Sequence, residues 1–436
     1  MLNPIGIRRE DKNEFEKRVP LIPSDLEEII KKTGAKFIIQ PSLIRAFSQE
    51  DYLKAGLAVS EDISEAKIVF AVKEIPVQLI EKDKAYVFFS HTIKGQEYNM
   101  PLLQKLIDQK CTLIDYEKIT DSDNKRLVFF GRYAGIAGMI DTLWAYGKKL
   151  SKDNVQNNPF DHLLNTYKYS SLDKAKGEIL LASDKIKAMG IPESISPLVI
   201  GITGYGNVSK GAQEILDILP CKEIRANELL NLKNVNKKLI YKVVFKEEDL
   251  FISKSNKAFE LEDYYYNPQD YESIFEKYVP SMEIIVNCIY WNIMYPKLIT
   301  KAYTKYLYSS IKHNKLKVIG DISCDIEGSI EPTVKATYPD NPAYLYDINK
   351  DEAIASFSGD GPVIMAVDNL PCELPKEASE EFSRALRDFL PSIINSDLSK
   401  GLENCGFPEE IKRATILYNG EFTHDFEYMK DFLSLT

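Results

Sequence analysis

The run PLVIGITGYGNVSKGAQEILDILP at 197–220 constrains this chain most, because it joins an apolar strand, a glycine turn and an amphipathic helix without a break. Leu198 to Thr203 is a continuous apolar stretch, the pattern of a strand buried on both faces of a parallel sheet. Gly204 and Gly206 follow, and from Asn207 onward Val208, Ala212, Ile215 and Leu216 recur on one face of a helix. Each glycine answers a physical demand. Gly204 permits the tight turn, Gly206 lets the backbone approach a pyrophosphate, and Gly211 lets helix and strand pack closely, while the helix start at Asn207 and Val208 faces the anion. The third glycine falls two positions later than in G-x-G-x-x-G, so an ordinary glycine turn is the competing reading. The flanking strand and helix favour a dinucleotide of the nicotinamide type.

At 436 residues the chain is too long for one core, which points to two domains, with one of them open to being discontinuous. A formal charge of -10 and the lack of any Lys/Arg block argue against nucleic-acid binding. The six cysteines show no CxxC or Cys/His spacing, so neither a metal site nor a disulfide framework is indicated, and they read as core thiols in a reducing compartment. No leader and no long apolar span is evident, so a cytoplasmic protein without membrane attachment is expected.

The first 130 residues alternate short apolar runs with helical patterns: IGI, a helix at 24–33, KFIIQP, a polar helix near Gln49 to Ala55, KIVFAVK, YVFFSH, a helix at 100–109 and TLIDYE. This reads as an α/β domain with several parallel strands. A helical tract from Gly135 to Tyr146 carries Gly135, Ala137 and Gly138, which suit close backbone approach. Residues 148–171 are polar and read as a loop or mobile surface excursion. A helix at 172–189 leads to the glycine turn, after which EIRA, KLIYKVVF, MEIIVNCIYW and KVIGDISCD supply further strands of a doubly wound sheet. ELEDYYYNPQDYESIFEKY between them reads as a surface helix with a packed aromatic side. PVIMAVDNLP and a helix from Pro375 are expected to complete the first domain.

Of four histidines, His91 stands out, at the end of the apolar run YVFFS. Lys73 ends the preceding run IVFAVK, and adjacent parallel strands would bring both side chains within reach of one ligand at the sheet's carboxyl edge. A satisfied histidine and a solvated lysine at strand ends are the plainer readings of the pair. Arg8, Arg18, Arg126 and Arg132 lie near strand ends or turns of the same domain and suit bidentate binding of carboxylates, though each could equally form an ion pair. Glu117, ending TLIDYE, can accept a substrate ammonium or alter a neighbouring proton affinity.

IGIRREDKNEFEKRVPLIP, FFSHTIKGQEYNMPLLQKL, LIDYEKIT, FGRYAGIAGMID, TGYGNVSKGAQEIL, NCIYW, GDISCDIEGSIE and VDNLPCELPKEASEEF occur in this order. Together they resemble the lysine-ketoglutarate reductase half of α-aminoadipic semialdehyde synthase, over nearly the whole chain, and more distantly lysine-forming saccharopine dehydrogenase and alanine dehydrogenase. The resemblance implies an α/β fold of two Rossmann-like domains. A discontinuous substrate domain resembling the alanine dehydrogenase N-terminal domain, at 1–148 and 351–436, flanks an inserted doubly wound NAD(P)-binding domain at 149–350, with the active site in the cleft between them and a hinge motion that closes it. The implied activity is condensation of L-lysine with 2-oxoglutarate and reduction by NADPH to saccharopine, in lysine degradation, as a monofunctional enzyme. A separate glutamate-forming saccharopine dehydrogenase would then act in the same pathway.

The family's Lys/His pair falls on Lys73 and His91, as base for the substrate amine and as acid and base at the carbonyl oxygen, with the roles open to exchange. Arg18 and Arg126 fall at carboxylate clamps, and Glu117 near the amine. Asp321, in GDISCD, is open to holding the lysine α-amino group or to stabilising a turn. Glu223 and Arg225 stand where a ribose reader is expected, so Arg225 and the resemblance favour NADPH/NADP while Glu223 keeps NADH open. Two rivals stand beside this reading: an NAD-linked saccharopine or simpler amino-acid dehydrogenase, and an inactive nucleotide-binding regulatory protein. The direction of flux and the oligomeric state, a homo-oligomer included, are left open by the sequence.

Overall fold

The computed structural model describes residues 2–433. The chain forms two compact units, one from the residues up to Phe130 together with those from Pro375 onward, the other from Gly131–Leu374. The sequence reading placed these divisions at 148 and 350. They differ because helix Gly131–Lys152 packs its glycines against elements of the second unit, and because strand Val363–Met365 pairs with Val318–Asp321 there.

The first unit is built on an eight-stranded sheet in the order Glu421–Phe422, Thr415–Tyr418, Thr112–Asp115, Ala85–Phe88, Ile68–Phe70, Ile5–Ile7, Phe37–Ile39, Ala58–Val59. The six strands from the N-terminal part are parallel, and the two from the C-terminal part add antiparallel at one edge. The strands are short because their apolar runs are short, and Ile5–Ile7, Ile68–Phe70 and Ala85–Phe88 are buried throughout. The strand order reverses between Ile5–Ile7 and Ile68–Phe70, and the crevice at the carboxyl ends of such a pair is where open α/β sheets bind ligands.

The second unit holds another eight-stranded sheet, in the order Glu352–Ile354, Ala343–Asp347, Val363–Met365, Val318–Asp321, Ile284–Asn287, Val199–Thr203, Ile240–Phe245, Cys221–Glu223. The doubly wound expectation holds, with one departure. The usual dinucleotide fold sets its second strand beside the first, whereas here the third strand, Ile240–Phe245, takes that place and Cys221–Glu223 is displaced to the edge. The residues explain the exchange. Ile240–Phe245 is six residues long and almost wholly buried, while Cys221–Glu223 is three residues long with two of them exposed, which suits an edge.

Helix Asn207–Leu216 begins directly after Gly206, as the sequence implies. Gly211 does not serve helix-to-strand packing. A Cβ there would stand 2.0 Å from the carbonyl oxygen of Arg132, and one on Gly135 would stand 1.9 Å from that of Val208, so the two glycines let helices Gly131–Lys152 and Asn207–Leu216 touch backbone to backbone. Residues 153–171 are not a surface excursion either. Phe160, Leu163, Asn165 and Thr166 are fully buried, and Thr166 donates its N–H to Asp141 Oδ1 at 2.7 Å. The tyrosine-rich segment is broken rather than one helix, giving helix Leu261–Tyr266 and then strand Tyr271–Ser273, which pairs with Phe251–Ser253.

Candidate functional site

In the first unit, strands Ile68–Phe70 and Ala85–Phe88 are parallel neighbours, with Phe70 opposite Val87. Pairing continues past both strands through Phe89 N–H to Val72 O at 3.1 Å, so Lys73 and His91 leave the same sheet edge on adjacent chains. The buried carboxylate of Glu10, from the loop after Ile5–Ile7, accepts the N–H groups of Val72 at 2.6 Å and Lys73 at 3.0 Å and fixes this turn. Burial and the charge of Glu16 push Glu10 up to about 7.

Burial, together with the positive charge of Arg18 and Lys12, holds the Lys73 ammonium below the usual lysine range, against the pull of Glu16 and Glu74. Arg18 is itself buried, with Nε and Nη2 on the two oxygens of Glu16 at 2.8 and 2.6 Å and its guanidinium carbon 4.2 Å from the centroid of the Phe130 ring. Phe130 stacks in turn on Phe382, brought in by the helix Pro375–Leu386.

His91 adopts the left-handed backbone conformation, φ 48°, which a non-glycine residue takes only when its surroundings impose it. Asn99 holds its carbonyl at 3.1 Å, its ring lies parallel to Phe89, and its Nδ1 meets Glu74 Oε1 at 2.6 Å. Although burial pulls Glu74 up, the hydrogen bond and charge of His91 and the charge of Lys12 hold its carboxyl down to about 2. Glu74 and Glu10 escaped the sequence reading, since neither ends an apolar run. Glu74 follows Lys73 directly in the chain, but its contact with His91, like that of Glu10 with Val72 and Lys73, needs the fold.

Glu117 and Arg126 pair at 3.2 Å and line a cavity of about 430 Å³ with Arg413, Asn124 and Phe426. Arg413, also missed, donates from Nη2 to Thr120 O at 2.6 Å, and its buried Nε has no hydrogen-bond partner. Behind them Asp115 accepts the Ser90 hydroxyl at 2.5 Å and is pushed up to about 6 by burial and by Glu117. Arg8 pairs with Asp11. Arg132 belongs to the second unit rather than the first and pairs with Glu214 at 2.7 Å.

In the second unit, Gly204 turns the chain at φ 85°, and a Cβ on Gly206 would meet nothing within 4 Å, so the turn is an open backbone cradle at a helix start. These residues fit a dinucleotide pyrophosphate. Asp321 is fully engaged. It accepts Asn287 Nδ2 at 2.9 Å, the Thr333 hydroxyl at 2.6 Å and the Cys324 N–H at 3.3 Å, and burial pushes it up to about 6. Of its two readings, the turn-stabilising one matches this geometry. Arg225 and Glu223 sit at the outer edge of the sheet, one strand further from Gly204 than expected, and Glu223 pairs with Lys242 at 3.1 Å.

Residues 6–137 match the alanine dehydrogenase/PNT N-terminal domain. The chain is 37% identical over 446 residues to alpha-aminoadipic semialdehyde synthase of Arabidopsis thaliana, covering 98% of this chain and 41% of that protein. It is 35% identical over 440 residues to the mitochondrial protein of that name from Mus musculus, covering 98% and 47%. Almost the whole of this chain is thus similar to part of alpha-aminoadipic semialdehyde synthase. It spans about half the length, or less, of these curated relatives. Saccharopine dehydrogenase (NAD(+), L-lysine-forming) of Yarrowia lipolytica is 23% identical, covering 90% of this chain and 93% of that one.

Among solved structures, an L-alanine dehydrogenase matches over 99% of both chains with a TM-score of 0.63 at 16% identity. A transhydrogenase from Sinorhizobium meliloti matches over 96% of this chain and 100% of its own, with a TM-score of 0.53 at 13% identity. These two likenesses show the fold of this chain. Among the described residues, no helix is long and apolar enough to cross a membrane, and no group of three or more His, Cys, Asp or Glu side chains could hold a metal ion.

Proposed function

We propose that this chain condenses L-lysine with 2-oxoglutarate and reduces the resulting imine to saccharopine at the expense of a reduced nicotinamide dinucleotide. The names of its relatives give the substrate class. The observation that carries the reading is a lysine held below its usual range beside a histidine set by a carboxylate, on adjacent strand ends of one sheet edge.

Neutral Lys73 takes a proton from the substrate ε-ammonium, freeing the amine to attack the keto carbon. Burial first, and the like charge of Arg18 next, favour that neutral form. His91, whose Nδ1 is held by Glu74, presents its other ring nitrogen to the carbonyl oxygen and donates the proton that forms the carbinolamine hydroxyl, recovers a proton from the carbinolamine nitrogen, and donates it as that oxygen leaves as water and the imine forms. The guanidinium groups of Arg126 and Arg413 receive substrate carboxylates, and Glu117 offsets the charge of Arg126 until they arrive. The Gly204–Gly206 turn holds the dinucleotide, which supplies the hydride to the imine carbon when bound. Six cysteines, all free thiols, suit a reducing compartment.

The product decides the proposal. Purified chain incubated with L-lysine, 2-oxoglutarate and reduced nicotinamide dinucleotide should yield saccharopine by mass spectrometry, and Lys73→Met and His91→Asn should each abolish it while retaining dinucleotide binding. Turnover of pyruvate and ammonia without lysine would assign the chain to a simpler amino-acid dehydrogenase, and dinucleotide binding with no turnover to a regulatory protein.

A further inference from the structure

We infer that Asp115 is a positioning residue for the condensation, a single buried carboxylate that sets both the His91 and the Glu117 segments. This deepens the proposed reaction and rests on it for the roles of those two side chains.

Phe88 is the register partner of Asp115, and with that pair the ladder between strands Ala85–Phe88 and Thr112–Asp115 ends. The Asp115 side chain takes over from the backbone. Its Oδ2 accepts the Ser90 N–H at 3.0 Å and the Ser90 hydroxyl at 2.5 Å, and its Oδ1 accepts the Glu117 N–H at 2.8 Å. One oxygen therefore serves the segment that carries His91, and the other serves the segment that carries Glu117.

Ser90 passes the constraint across His91. Its Oγ accepts the Thr92 N–H at 3.3 Å and lies 2.8 Å from Thr92 Oγ1. Because the one proton of the Ser90 hydroxyl goes to Asp115, Thr92 is the donor in that second contact. His91, at φ 48°, thus stands between two fully buried residues that Asp115 anchors directly or through one hydroxyl. Asn99 holds the His91 carbonyl at 3.1 Å, and the ring is left facing Glu74 at 2.6 Å. The left-handed backbone is the strained element that this clamp maintains.

A carboxylate is a costly choice for this place. Asp115 is wholly buried, and the neighbouring charge that acts on it most is that of Glu117, of the same sign. Burial beside a like charge opposes folding, and a neutral acceptor would satisfy the Ser90 donors alone at lower cost. What the second oxygen adds is a fixed relation between His91 and Glu117. The condensation needs that relation, since His91 faces the reacting carbonyl while Glu117 meets Arg126 at 3.2 Å, where a substrate carboxylate arrives.

The test compares Asp115→Asn with Ser90→Ala by steady-state kinetics and by NMR of the histidine ring nitrogens, the His91 signals being assigned by their loss in His91→Asn. Asparagine turns an amide N–H₂ toward one of the two backbone donors. Asp115→Asn should therefore shift the His91 Nδ1 signal, lower kcat about 10²-fold and raise KM for 2-oxoglutarate severalfold. Ser90→Ala removes the hydroxyl and spares the Glu117 contact, so it should shift the same signal and lower kcat about tenfold with KM unchanged. Unchanged His91 signals and kcat in an Asp115→Asn chain that melts cooperatively, or a KM raised as much in Ser90→Ala as in Asp115→Asn, would overturn the inference. If Asp115→Asn does not fold, Ser90→Ala decides, and unchanged signals and kcat there overturn it. If the wild-type chain makes no saccharopine, the proposed reaction fails. The His91 signals then still decide the positioning, shifted signals supporting it and unchanged ones overturning it.

Discussion

Nδ1 of His91 lies 2.6 Å from Oε1 of Glu74, and Lys12 approaches Oε2 of the same carboxylate at 3.1 Å. Glu74 therefore fixes which ring nitrogen of His91 is free for chemistry. Because its carboxyl is held down to about 2, this contribution is fully present above the usual carboxylate range and is lost only as pH falls toward 2. Glu74→Gln should lower kcat about 10²-fold, the scale of one general acid or base, with KM for both substrates little changed. Steady-state kinetics at pH 7 check this.

Lys73 is held below its usual range by burial first and by Arg18 next. The acidic limb of the kcat/KM profile, where protonation of Lys73 removes the base, should accordingly lie below the ordinary lysine value of about 10.4. Arg18→Gln removes the like charge and leaves Glu16 beside Lys73, so the limb should move to higher pH. A limb that stays in place would show that Lys73 is not the titrating base.

Gly135 and Gly211 decide the packing of helices Gly131–Lys152 and Asn207–Leu216. Helix propensity alone favours alanine over glycine by about 1 kcal/mol. A Cβ at 1.9 or 2.0 Å from a backbone oxygen reverses the sign, since the helices must part at a cost of about 1–3 kcal/mol or more. Gly135→Ala and Gly211→Ala should lower the melting temperature. Gly177→Ala, in helix Leu172–Met189 with nothing within 4 Å of its Cβ, should raise stability by about 0.5–1 kcal/mol. Thermal unfolding of the three variants gives opposite signs on this account.

Asp141 and Glu373 form a buried carboxyl pair in the second unit. Burial pushes Asp141 up to about 6, and burial with the charge of Asp141 pushes Glu373 well above the carboxylate range. Both values are raised, so the folded chain binds protons more tightly than the unfolded one. The contribution is present below the ordinary carboxylate range of about 4 and is lost as pH rises through about 6. Glu373→Gln should therefore stabilise the chain at pH 8 by about 1–2 kcal/mol and should have little effect at pH 5. Denaturant titrations at the two pH values check the sign.

The glycine turn was legible in the sequence because strand, turn and helix are local, and helices Asn207–Leu216 and Leu172–Met189 begin and end where their apolar spacing and caps place them. Lys73 and His91 were legible for the same reason, each closing an apolar run. Strand adjacency was not. Cys221–Glu223 and Ile240–Phe245 compete for the place beside the glycine strand, and the longer apolar strand wins, which moves Glu223 and Arg225 outward. Arg413 and Glu74 depend on contacts across the fold that no local pattern announces. The unit boundary at Gly131 was missed because the small residues of that helix serve helix-to-helix contact, which looks alike in either domain.

The central claim is tested most directly by following the absorbance of the reduced nicotinamide with purified chain, L-lysine and 2-oxoglutarate, each omitted in turn. The account predicts oxidation only when both substrates are present. Oxidation that persists without lysine, or none with both present, would contradict it.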